Sequence, residues 1–150
     1  AGRISLLANK QSDGDIISSF DYRYDKVGNR TGVTEANGDV VTWSYDNAYQ
    51  LTRERRSGDN AYDITYTFDP VGNRLTELEG GVITSYSYDA GDRLLTTNDG
   101  TTLTTFSYDA NGNTILKNAG GSLTTYTWDC ENRMVGLQLP AGGLNTFSYS

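Results

Sequence analysis

Residues 24–30 read Tyr24-Asp25-Lys26-Val27-Gly28-Asn29-Arg30, and residues 68–74 repeat them as Phe68-Asp69-Pro70-Val71-Gly72-Asn73-Arg74. Weaker copies keep an aromatic residue directly before an aspartate, at Tyr45-Asp46, Tyr88-Asp89, Tyr108-Asp109 and Trp128-Asp129. The six aspartates are 21, 23, 20, 20 and 20 residues apart. A fixed period of this length indicates a repeat architecture. We therefore expect one array of about six repeats of 20–23 residues over residues 1–150, cut at both ends.

The residues before each aspartate predict strands. An aromatic residue stands one and three places ahead of it, as in Trp43/Tyr45 and Tyr86/Tyr88. Strand side chains alternate between faces, so both rings share one face and the intervening Ser or Thr occupies the other. Each repeat then reaches a Gly, Asn or Asp turn suited to a tight hairpin, such as Gly80-Gly81. The sequence predicts an all-β fold, a repetitive antiparallel β-hairpin array whose rings pack on rings one repeat away.

The motif residues are interpreted as structural. A turn aspartate accepts hydrogen bonds from backbone N–H groups two or three residues on, and the following arginines can pair with turn carboxylates. A ladder of carboxylates that binds cations is the alternative, but calcium needs 6–8 oxygens around one point. We expect no metal and no cofactor. The residues given this structural role are Tyr24, Asp25, Asn29, Arg30, Tyr45, Asp46, Phe68, Asp69, Asn73, Arg74, Tyr88, Asp89, Arg93, Tyr108, Asp109, Asn113, Trp128, Asp129, Asn132 and Arg133.

Two turn lengths are predicted to alternate. Asn29, Asn73 and Asn113 lie four residues after their aspartates. In the other repeats the matching residues are interpreted as Tyr49, Asp92 and Asn132, which makes those turns one residue shorter. The structural unit would then be a pair of repeats.

Composition argues against several classes of function. The net charge of -7 disfavours nucleic acid and anionic membranes, and no apolar run is long enough for a membrane span. The absence of histidine removes Ser-His and Cys-His nucleophile pairs. Cys130, the single cysteine, stands at a variable turn position that Ala90, Ala110 or Pro70 occupies in three other repeats. All obvious carboxylate pairs belong to the repeat, so we expect no enzyme.

The repeat resembles the YD repeats of Rhs (rearrangement hot spot) proteins, of Tc-toxin C components and of teneurins. The Tyr-Asp-x-x-Gly-Asn-Arg block, its period and the aromatic strand carry the resemblance from about residue 21 to residue 149. The resemblance implies a β-ribbon that spirals into a hollow shell around a toxin cargo, in a secreted or cell-surface protein. Phe68-Asp69-Pro70-Val71-Gly72 is superficially like that family's autoproteolytic boundary, but it continues in register and is interpreted as an ordinary repeat.

The leading hypothesis is thus a structural wall whose partners are neighbouring repeats of the same or another chain and an enclosed cargo. The alternatives are an adhesion module for a glycan or surface protein, or a self-assembling filament. Aromatic rings that serve as a stacking platform, or the cluster of Arg53, Arg55 and Arg56, would support adhesion. A filament would join Ala1-Gly2-Arg3 to Phe147-Ser148-Tyr149 through unpaired strand edges. Asn29-Arg30-Thr31 also forms a glycosylation sequon.

Overall fold

The computed structural model describes residues 2–149, so the filament contact assigned to Ala1 lies outside the described residues. Every element in it is a strand, as the alternation of apolar and hydroxylic residues predicts. The fourteen strands are β1 Leu6–Lys10, β2 Ile16–Tyr24, β3 Arg30–Glu35, β4 Val40–Tyr45, β5 Leu51–Arg56, β6 Tyr62–Phe68, β7 Arg74–Glu79, β8 Val82–Tyr88, β9 Leu94–Asn98, β10 Leu103–Tyr108, β11 Thr114–Ala119, β12 Ser122–Trp128, β13 Met134–Gln138 and β14 Leu144–Thr146. No helix among these residues is long and apolar enough to cross a membrane.

The chain divides into two compact units. The first ends at Gly81 and contains β1 to β7, and the second starts at Val82 and contains β8 to β14. Within each unit the strands lie in sequence order and each is antiparallel to the next. The aspartate turns lie at one end of the strands and the glycine turns at the other.

The two faces of each strand differ as predicted. In β8, Tyr86 and Tyr88 are half-buried while Ser85 and Ser87 are exposed. Strand β12 repeats the arrangement with a half-buried Tyr126 and Trp128. We call these the aromatic face and the hydroxyl face.

Little of the chain is fully buried. Among residues 2–149 the buried apolar side chains are Val33 and Val41, which face each other across β3 and β4. Most aromatic-face side chains are half-buried, because only neighbouring side chains on the same face of the sheet contact them. Stability in such an array comes mainly from contacts between adjacent repeats.

A β-bulge recurs at the same place in every repeat. The strand register shifts directly before the aromatic residue that precedes the aspartate, for example between Ser44 and Tyr45 and between Ser107 and Tyr108. The same shift occurs in the other four aspartate-turn hairpins. Bulges bend a strand and increase its local twist, so each repeat adds a bend next to its aspartate turn.

Candidate functional site

The site that repeats through the chain is the aspartate turn. In the first complete copy, Asp25 Oδ1 accepts hydrogen bonds from the backbone N–H groups of Val27, Gly28 and Asn29 at 3.0, 2.6 and 2.8 Å. Asp69 Oδ1 accepts from Val71, Gly72 and Asn73 at 3.0, 2.8 and 2.8 Å. The shorter sets at Asp46, Asp89, Asp109 and Asp129 follow the same pattern. Each carboxylate therefore organises its own turn, including the turn with Pro70.

The prediction of two alternating turn lengths is wrong. In all six turns the N–H of the aspartate donates to the carbonyl oxygen four residues later, at Asn29, Gln50, Asn73, Arg93, Asn113 and Arg133. The residue three places after the aspartate has positive φ in every copy: 111° at Gly28 and 62° at Tyr49, with Gly72, Asp92, Gly112 and Asn132 alike. Tyr49, Asp92 and Asn132 therefore correspond to the glycines and not to the asparagines.

The side chain four residues after the aspartate completes the turn in two chemical forms. Asn29 and Asn113 donate Nδ2–H to the second carboxylate oxygen of Asp25 and Asp109 at 2.9 and 3.0 Å. Arg93 donates Nε–H to Asp89 Oδ2 at 2.6 Å, and Arg133 does the same to Asp129 at 2.8 Å. An amide and a guanidinium thus fill one structural position.

Asn132 has a different role from the one assigned to it. Its Oδ1 accepts hydrogen bonds from Asn111 Nδ2 at 3.1 Å and from Asn113 Nδ2 at 2.8 Å. It ties its own turn to the turn of the preceding repeat.

The aromatic residue before each aspartate is bonded to the previous repeat. The Tyr45 hydroxyl donates to the carbonyl oxygen of Arg30, five residues after the preceding aspartate, at 2.8 Å. The same bond, which we call the inter-repeat bond, joins Tyr24 to Ile4, Tyr108 to Leu94, Trp128 Nε1 to Thr114 and Tyr149 to Met134 at 2.7–2.8 Å. Phe68 carries no polar atom with which to make it.

Arginines cover several of the rings. The guanidinium carbons of Arg93 and Arg133 lie 5.0 Å from the ring centroids of Tyr108 and Tyr149. Arg30 and Arg74 lie 4.7 and 4.6 Å from other rings, those of Tyr22 and Tyr66 on the preceding strand. Exposed cation–π contacts contribute about 0.5–1 kcal/mol each.

These contacts change the expected packing of the aromatic face. At Tyr22, Tyr66, Tyr108 and Tyr149 a guanidinium lies over the ring, a contact that ring-on-ring packing does not predict. The one ring pair with a described geometry, Phe20 and Tyr22, lies within a single strand at 6.5 Å between centroids.

The turn bonds shift the acidity of the aspartates. At Asp25 and Asp69, partial desolvation opposes the shift, but hydrogen bonds from the turn outweigh it and lower the pKa below 3.8. Hydrogen bonds from Arg93 and Arg133 lower the pKa of Asp89 and Asp129, and those from Asn113 lower the pKa of Asp109. The ionised form is therefore the one that the turns stabilise.

A second polar cluster departs from the repeat on the aromatic face of the first unit. Arg56 donates two hydrogen bonds to Glu35, both 2.7 Å long, and one to Asp39 at 2.8 Å. The neighbouring Glu54 accepts from Trp43 Nε1 at 3.0 Å and from the Tyr62 hydroxyl. The bond to Glu54, followed by desolvation, raises the pKa of Tyr62 to about 12. Sequence reasoning singled out Arg56 as basic surface, but its charge is already balanced.

Among residues 2–149 there is no group of three or more His, Cys, Asp or Glu side chains that could hold a metal ion. Cys130 is exposed at a turn. The amide of Asn29, the sequon residue, donates to Asp25 Oδ2 within the turn.

Comparisons with known proteins agree with this geometry. A family model described as Teneurin YD-shell matches residues 5–150. No curated protein sequence matches the chain. Among solved structures the TcdB2-TccC3 crystal structure is 24% identical with a TM-score of 0.67, over 82% of this chain and 7% of that one. The crystal structure of TcdB2-TccC3-TEV is 19% identical with a TM-score of 0.65, over 88% of this chain and 9% of that one.

The Photorhabdus luminescens Tc holotoxin pore is similar at 24% identity and a TM-score of 0.64, over 79% of this chain and 7% of that chain. At this identity the solved structures establish the fold alone. The chain spans less than a tenth of the length of the structures that it matches.

Proposed function

This chain belongs to the Teneurin YD-shell family, and we propose that it is one section of the wall of a hollow shell that encloses a polypeptide cargo. It serves as structural material and performs no catalysis. The longer protein of which it forms a section would be secreted or exposed at the cell surface. The enclosed cargo is the partner that this proposal predicts.

The inter-repeat bond is the observation that supports a wall. Each bond joins the aromatic residue of one repeat to a carbonyl of the repeat before it, as Tyr45 does to Arg30 and Tyr108 to Leu94. Such an array grows by adding repeats along the chain. A continuous hydrogen-bonded sheet of this kind is a barrier to solvent and to proteases.

The repeated bulge supports curvature in that wall. Within each unit one bend stands beside each aspartate turn, always in the same position. The comparisons do not favour the adhesion or filament alternatives.

The proposal is tested on the longest natural polypeptide that contains this sequence. Electron cryo-microscopy should show a closed shell, and a polypeptide linked to the repeats should resist protease that digests the same polypeptide when free. An open ribbon with both faces in solvent, or equal digestion of linked and free polypeptide, would overturn the proposal.

A further inference from the structure

A groove with a volume of about 940 Å³ opens on the first unit, at the glycine-turn ends of β5, β6 and β7. Its lining includes Arg53, Arg55, Asp63 and Leu78, and the turn residues Gly80 and Gly81 close one end. The volume lies within the range of pockets that hold small ligands, about 300–1,000 Å³.

The charge of this groove departs from the repeat. Arg53 and Arg55 stand seven and nine residues after Asp46, on the hydroxyl face. The same two positions of the other repeats hold uncharged residues, which are Gly32/Thr34, Thr76/Leu78, Thr96/Asn98, Leu116/Asn118 and Gly136/Gln138. The two cations are therefore not part of the repeated turn.

One of the two arginines already shows how the groove holds a carboxylate. Arg53 Nε donates to Asp63 Oδ1 at 2.7 Å, and its Nη2 donates to Oδ2, which forms a two-point ion pair. Arg55 is the cross-strand neighbour of the same Asp63 and is exposed. Within residues 2–149, no carboxylate lies within ion-pair distance of Arg55.

We propose that this groove binds an extended peptide segment that carries a single carboxylate, which accepts hydrogen bonds from the Arg55 guanidinium. Leu78, 39% exposed, gives an apolar contact, and Thr65 gives a hydroxyl. Glu79 also lines the groove, so with Asp63 it repels polyanions such as nucleic acid but tolerates one carboxylate among uncharged residues. This inference is independent of the proposed wall, because the groove exists in the chain whether or not a shell closes.

The test is an NMR titration of the ¹⁵N-labelled chain with an end-blocked peptide of seven alternating Thr and Val residues, with Glu at its centre. Backbone amide shifts should saturate and map to residues 53–65 and 78–81. A peptide with Gln in place of Glu should bind about 5-fold more weakly, since an exposed Arg–carboxylate pair contributes up to about 1 kcal/mol.

Arg55→Ala should weaken binding of the Glu peptide by the same factor of about 5 and leave binding of the Gln peptide unchanged. Arg55→Lys should fall between, because it keeps the charge and loses the planar fork. Arg23→Ala is the matched control: Arg23 is an exposed arginine of the same face that lies against Gly32 and outside the groove, and its loss should change nothing.

Equal affinity for the Glu and Gln peptides, or for the parent chain and Arg55→Ala, would overturn the proposal. Groove amides that shift with protein concentration in the absence of peptide would also overturn it, and would identify a second copy of this chain as the occupant.

Discussion

Replacing Tyr108 by phenylalanine removes one oxygen atom from the second unit and leaves the ring in place. That oxygen makes the inter-repeat bond to the carbonyl of Leu94 at 2.7 Å, in a half-buried setting. The ring keeps its contact with Arg93, whose guanidinium carbon lies 5.0 Å from the centroid. The substitution therefore isolates the inter-repeat bond from packing and from the cation–π contact.

The size of the effect follows from the burial of the acceptor. An intramolecular hydrogen bond contributes about 0.5–1.5 kcal/mol net, and an unsatisfied buried carbonyl costs about 1–3 kcal/mol. Water reaches a half-buried carbonyl, so we expect Tyr108→Phe to lower the free energy of unfolding by about 1 kcal/mol. With a urea dependence of about 1–3 kcal/mol per molar, the unfolding midpoint should fall by about 0.3–1 M.

Fluorescence of Trp128, which lies in the same unit, reports the transition. Tyr126→Phe provides the control, since Tyr126 is the other aromatic residue of the neighbouring motif. No hydrogen bond from its hydroxyl to another group is seen among residues 2–149. Its midpoint should fall by less than that of Tyr108→Phe, because no hydrogen bond is lost. If both substitutions lower the midpoint equally, or if neither does, the inter-repeat bond is not what joins one repeat to the next.

Three further predictions test the turn and the bond from other directions. Phe68→Tyr should add the missing inter-repeat bond, to the Leu51 carbonyl, and raise stability by about 0.5–1 kcal/mol in a urea titration followed by Trp43 fluorescence; a loss of stability would contradict it. Tyr49→Gly should be stabilising by about 0.5–1 kcal/mol. The left-handed backbone at φ 62° costs a residue with a Cβ about 1–2 kcal/mol, and glycine loses about half of that in chain entropy. Thermal unfolding measures the change, and an unchanged or lower midpoint would count against strain at this turn. Acid should destabilise the chain: the folded pKa values of Asp25, Asp69, Asp89, Asp109 and Asp129 lie below 3.8, so their contribution is present above the unfolded value and is lost as pH falls through the folded values. Unfolding midpoints measured at several pH values below 5 check this, and a midpoint that rises on acidification would refute the role of the turn carboxylates.

The strands and turns were predictable because their signals are local. Rings one and three places before an aspartate fix the two faces of a strand, and the structure confirms them at Tyr86, Tyr88 and Tyr126. An aspartate with Gly and Asn three and four residues later predicts a turn in which the carboxylate accepts hydrogen bonds from the backbone, and Asp25 and Asp69 show it.

The register inside the turn could not be predicted by matching residue types. Asn132 and Asn113 look equivalent in sequence, but Asn132 stands three places after its aspartate, where φ is positive, and Asn113 stands four places after its aspartate and donates to the carboxylate. Gly, Asn, Asp and Tyr all occupy the first position, and Asn, Gln and Arg the second. Conformation therefore defines the alignment, and residue identity does not.

The contacts between repeats were hidden for a different reason. The partner of Tyr108 is a backbone carbonyl, which every residue possesses, so no residue type at position 94 could reveal it. The arginines that cover Tyr108 and Tyr149 were expected to pair with carboxylates, and Arg93 does both at once: its Nε bonds Asp89 while its guanidinium lies over the ring.

The inter-repeat bonds all run in one direction along the chain. In each the donor belongs to the later repeat and the acceptor to the earlier one, as with Tyr24 and Ile4, Tyr45 and Arg30, and Tyr149 and Met134. The acceptor carbonyl of one repeat is thus satisfied by the repeat that follows it. During synthesis on the ribosome each newly emerged repeat would satisfy the carbonyl of the one before it. The ribbon would therefore fold progressively from its N-terminal end, and the latest repeat would be the least stable.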